Sequence, residues 1–142
     1  MASSLAQIRS GLKDRLETIT ALGDVHAYQV DAGALNKFPT AIMLMDEAAY
    51  AQTAMGGTPM EVGFRVIVLV ARADTPEGFE ALDEFIDAQG ARSIDRAIEG
   101  ARNLGLTDVT AALVRCERVG IKEIGQGRFY GGDFLVRVVR TG

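Results

Sequence analysis

Three acidic residues, Glu80, Glu84 and Asp87, fall at positions i, i+4 and i+7, with Asp83 beside them. On a helix that spacing lines carboxylates along one face, an arrangement that can serve acid–base catalysis or hold magnesium. Phe79, Leu82, Phe85 and Ile86 lie on the opposite side of the same helix. A helix divided in this way turns its acids to water. The expected role is a solvated face or an ionic contact with a basic neighbour, with no metal site.

Three further groups of residues invite a chemical reading. Gly125 to Gly132, GQGRFYGG, looks like a phosphate loop but lacks the Gly-Lys-Ser/Thr ending and opens no helix. A hairpin turn is expected instead, with Phe129 and Tyr130 packing beside it or meeting a partner. Cys116 stands between Arg115 and Glu117, far in sequence from the single histidine, His26. A thiol nucleophile needs a nearby base, so Cys116 reads as a packed small residue and His26 as a strand residue. No catalytic set, metal site or cofactor is expected. Arg115, Arg118, Arg128, Arg137 and Arg140 gather near aromatics, as in single-strand nucleic-acid binders. A net charge of −4 and the lack of a nucleic-acid motif weigh against that reading.

The elements that carry these residues are legible in the apolar spacing. Ser4 opens a helix through a capping box with Gln7. Leu5, Ile8, Leu12, Leu16 and Ile19 form its buried stripe, and Gly23 is placed to end it. Val25–Val30 and Thr40–Met45 read as strands, the second apolar enough to be covered on both faces. Asp46 to Pro59 lacks a period and reads as a long loop around Gly56-Gly57, with Tyr50 and Met55 as contact candidates.

From Met60 to Val70 the even-numbered side chains are apolar, while the odd face passes from Glu61 and Arg65 to Ile67 and Leu69. The strand is therefore wet on one side at its start and dry on both at its end. Thr75 and Pro76 suit the cap and first position of the acidic helix, which Gly90 ends. Ser93 can cap a short helix that stops at Gly100. Val109–Ile124, interrupted at Gly120, and Phe129–Arg140 then form a hairpin. Together these elements predict an α+β domain covering residues 1–142. Its mostly antiparallel sheet of about four to five strands packs against an N-terminal helix and a central helix pair.

Charge is uneven along the chain. Residues 46–100 hold eleven acids and four bases, a balance of −7, and residues 101–142 hold four acids and seven bases, a balance of +3. An acidic middle and a basic end suit a head-to-tail contact between copies, with Glu80, Glu84 and Asp87 against Arg128 and Arg137. Apolar surface points the same way. If the helices cover one sheet face, Ile67, Leu69, Leu135 and Val139 remain on the other. Burying each would gain roughly 1.5–3 kcal/mol, so a partner surface is expected there. The N-terminus has no signal-peptide core, and no apolar run is long enough for a membrane span. A soluble cytoplasmic protein is the default expectation.

RVIVLVARADTPEGFEALDEFID, the short helix GARSIDRAIEG, the Asn103-Leu104-Gly105 turn and the closing FYGGDFLVRVV together resemble tail terminator proteins of long-tailed bacteriophages. The opening SLAQIRSGLKDRLETI is also similar to the start of that family, so the resemblance spans almost the whole chain. It implies a small α+β virion subunit that assembles in the host cytoplasm into a homohexameric ring at the tail–neck junction. One ring face would meet the tail tube protein and stop its polymerisation. The other would meet a neck or head-completion protein, with DNA passing the lumen without specific binding. Another neck or tail-completion protein is the nearest alternative. A small ligand-binding or regulatory α+β domain is the alternative from a different class.

Overall fold

The structure is a computed structural model that describes residues 3–30, 35, 37–50, 59–72 and 78–141. Thr75, Pro76 and Met55, and the side chain of Phe79, lie outside the described residues. The elements follow in the order α1 (Leu5–Glu17), β1 (Asp24–His26), β2 (Thr40–Tyr50), β3 (Met60–Arg72), α2 (Gly78–Ile86), α3 (Ile94–Glu99), β4 (Val109–Ile124) and β5 (Gly127–Arg140). One mixed sheet has the order β1-β2-β3-β5-β4. β1 runs parallel to β2, and every other neighbouring pair is antiparallel. The α+β architecture expected from the sequence is present.

Capping decides where α1 begins. The Ser4 hydroxyl accepts from the Gln7 amide at 3.1 Å, and the Gln7 side chain accepts from the Ser4 amide at 2.8 Å. The reciprocal pair satisfies two amides that a helix start leaves open. The other end differs from expectation: α1 stops at Glu17 with Thr18 as its cap. Ile19 stays buried in the turn beyond. Gly23 serves instead as a seam, donating its amide to the Pro39 carbonyl at 2.7 Å. Similarly, α2 ends at Ile86, and Gly90 lies in the bend beyond it with φ 106°. Ser93 caps α3 as expected, accepting from the Arg96 amide at 3.1 Å.

The core lies on one face of the sheet. Ile8, Leu12 and Leu16 of α1, Leu82 and Phe85 of α2, and Ile94 and Ile98 of α3 meet one continuous apolar surface. That surface is made by Val62, Phe64, Val66 and Val68 of β3 with Phe134, Val136 and Val138 of β5. Period-two alternation in both central strands builds it. All three helices thus share one side, α1 included. Among the described residues the opposite side has no helix.

Two strands depart from the sequence reading. The first is short: only Asp24–His26 pairs, against the expected Val25–Val30. The second is long. Asp46–Tyr50, expected as the start of a loop, continues β2 past a bulge between Met45 and Glu47. Local composition hid this because DEAAY has no alternation. Its strand character comes from pairing with Met60–Gly63 of β3. At the far end of the chain, Gly125 takes φ 60° as the first of two turn residues between β4 and β5. Glycine is favoured at that place in a tight hairpin.

Candidate interaction surface

The helix-free face is organised around Arg65 of β3. Its Nη1 donates to Asp133 of β5 at 2.8 Å and to Glu117 of β4 at 3.1 Å. Nε and Nη2 reach Asp46 of β2, each at 3.4 Å. Lys122 of β4 places its Nζ 2.6 Å from the second oxygen of Asp133. Four adjacent strands are therefore tied by one charge network, and Asp133 at its centre is only 2% exposed. The three carboxylates hold the Arg65 guanidinium firmly in its charged form, Asp46 contributing most.

The register explains the arrangement. Asp133 sits opposite Ile67 on β3 and Glu117 on β4, while Arg65 lies two residues along and reaches it diagonally. A bulge between Glu117 and Gly120 then resets β4. Arg118 with φ 54° and Gly120 with φ 146° form that bulge, and it brings Lys122 round to the same carboxylate. Beside the network, Gly63 leaves a hollow of about 190 Å³ walled by Glu47, Val114, Arg115, Leu135 and Arg137.

Ile67 and Leu69 do not form the open apolar patch expected of them. Leu69 is fully covered within the chain by a second cluster with Leu35, Ile42 and Phe129. Ile67, Phe38 and Val30 pack at its margin. Val30, Leu35 and Phe38, which lie in the chain between β1 and β2, pack on this end of the sheet, taking the place a partner was expected to fill. Arg72 lies over both Phe38 and Phe129 at 5.8 Å from each ring. Leu135 and Val139 do lie toward the helix-free side, Val139 being 38% exposed.

The expected match between acidic helix and basic hairpin is altered as well. Glu80 and Glu84 are exposed on α2 and Asp87 is exposed in the bend just past its end, with Glu84 paired to Arg92 at 3.1 Å. The hairpin arginines already have acids of their own. Arg137 meets Glu61 at 2.7 Å, Arg128 meets Glu123 at 3.8 Å, and Arg115 meets Glu117 at 3.4 Å. A contact between copies through these groups would exchange ion pairs rather than create them, and exposed pairs contribute little. Tyr130 is half-buried and packs against the main core from the helix side.

The glycines of the expected phosphate-like loop have a packing role. Gly131 and Gly132 lie inside β5, both buried. A side chain on Gly131 would collide with the carbonyl of Val68. Cys116 also has a structural environment: burial, and then the charge of Asp133, push its thiol up from the ordinary value. A thiol held protonated is a weak nucleophile.

Exposed apolar side chains are distributed unevenly. Among the described residues seven large ones stand out: Tyr28, Met45, Tyr50, Val114, Val119, Ile121 and Val139. Five of these seven lie on β4, the strand at one end of the sheet, or on β2, which the short terminal strand β1 covers only at Thr40–Ile42. Tyr50 is the most open, at 73%. Val119 and Ile121 were missed in the sequence because the bulge that turns them outward is invisible to simple alternation. Gly120 was the one available sign. No protein-family model matches the chain, and no curated protein matches it either.

Proposed function

We propose that the chain is a structural subunit of a ring that ends a long phage tail, the role implied by its resemblance to tail terminator proteins. The observation that carries this reading is the two-sided build of the subunit. Helices α1, α2 and α3 occupy one side of the sheet, and a charge-laced surface occupies the other. A ring made from such subunits has two unlike faces, as a cap with a tube side and a neck side requires. The acidic balance of −4 also suits a lumen that does not retain DNA. In this role the mechanism is geometric: copies close a circle, one face seats on the last tube layer, and further tube subunits find no matching surface.

The test is tube length. Adding the purified chain to polymerising cognate tail tube protein is expected to give tubes of bounded length with ring density at one end. Tubes that grow without limit and end bare would sink the reading.

A further inference from the structure

We propose that the two open edges of the sheet pair with each other between copies, β4 of one subunit adding to the outer half of β2 of the next. The proposal rests on the ring reading for the closure of such a series into a circle. Pairing itself follows from the edges. β1 covers β2 only at Thr40, Ala41 and Ile42. Among the described residues, no strand pairs with the other side of Met43–Tyr50. At the opposite end β4 runs for 16 residues and, among the described residues, pairs with a strand, β5, on one side only. The Arg102 carbonyl takes the Ala111 amide at the start of β4, and the strand beyond it is the open stretch. Unpaired backbone groups in a row are a template for strand addition.

Side chains on both edges fit a partner of the same kind. Met45 and Tyr50 are exposed on β2, and Val114, Val119 and Ile121 on β4. Charge chooses which edge meets which. β2 carries Asp46 and Glu47 with no base, whereas β4 carries Arg115, Arg118 and Lys122 against Glu117 and Glu123. Asp46, Arg115 and Lys122 are engaged within the chain, so exposed Glu47 and Arg118 are the charges that face a partner. A β2–β2 contact would set acids against acids. A β4–β4 contact would bring two net-positive strands together. Only the unlike pairing joins opposite signs, since like charges directly across strands repel. It is also the pairing that repeats head to tail, each copy keeping one free edge. The bulges at Met45/Glu47, Leu113/Arg115 and Glu117/Gly120 interrupt flat pairing, and so select against arbitrary strands.

The test blocks one edge at a time. V119E/I121E puts acids on β4, and M45K/Y50K puts bases on β2, with circular dichroism confirming that each variant folds. By light scattering, the wild-type chain is expected to associate, each variant alone to remain monomeric, and their equal mixture to associate again. In the mixture the intact β2 of one fits the intact β4 of the other, and the two charge-reversed edges are complementary as well. A variant that dimerises alone, or a wild-type chain still monomeric at its solubility limit, overturns the proposal. Should either variant fail to fold, Y50C and V119C on a Cys116→Ser background replace them. A disulfide must then form in the mixture and in neither variant alone, and the reverse result overturns the pairing. Tube capping is read separately. Rings on tubes built from the mixed Y50C and V119C chains without this cross-link would remove the edge pairing and leave the ring, whereas paired chains that leave tubes uncapped would remove the ring.

Discussion

Asp133 meets Arg65 at 2.8 Å and Lys122 at 2.6 Å while almost wholly covered. Removing it leaves two cations on the sheet without their shared partner. Breaking a buried pair from one side costs about 3 kcal/mol or more, because the remaining charge is still desolvated. Asp133→Ala should therefore lower stability by about 3 kcal/mol in urea unfolding, a loss far above that of an exposed pair such as Glu123 with Arg128. Asp108 acts on the other side of neutrality. Ser3 donates to its two oxygens, from the amide at 2.8 Å and the hydroxyl at 2.5 Å, and holds the carboxyl below its ordinary value. A carboxyl lowered by folding adds stability above its unfolded pKa, and that stability is lost as pH falls through the folded one. Melting temperature should thus fall on acidification below about pH 4, and Asp108→Asn should flatten that part of the curve. A curve unchanged by the substitution would assign the acid sensitivity elsewhere.

At the scale of elements, local grammar and tertiary pairing each decided different pieces. The α1 start was readable because Ser4 and Gln7 satisfy amides within four residues of chain. Ser4→Ala should cost about 1 kcal/mol by thermal denaturation, with α1 fraying from its N-terminus. β3 and β5 were readable because a buried face forces period two on the sequence. The length of β2 was not, since Asp46–Tyr50 becomes strand only through its ladder to β3. Neither was the outward turn of Val119 and Ile121, which depends on a bulge whose cause is the shifted register against β5.

For the molecule as a whole, the question is which apolar surface is spare. Leu69 looked spare in the sequence because it sits on the face the helices do not cover. Leu35, Ile42 and Phe129 cover it instead, so its loss should be felt by the isolated subunit. Leu69→Ala should cost roughly 3 kcal/mol in the dilute monomer. A residue serving only an interface between copies would leave the monomer unchanged. Among the described residues, the surface that remains open lies along the outer half of β2 and on the terminal strand β4, at Met45, Tyr50, Val114, Val119 and Ile121. No helix among the described residues is long and apolar enough to cross a membrane.

The sequence by itself determined the element order, the Ser4 and Ser93 caps, the core stripe of α1 and the α+β class. These follow from short-range rules, namely periodicity, capping and turn chemistry, which act within a few residues. The acidic face of α2 and the basic character of the last hairpin were equally plain, being matters of composition and helical phase. Only the tertiary structure decided what those groups face. Strand order placed Arg65 among acids from three other strands, Leu35 and Phe129 covered Leu69, and the shortness of β1 with the terminal place of β4 left two stretches of strand edge open. Each of these depends on residues distant in the chain becoming neighbours, and a pattern of a few residues carries no record of that.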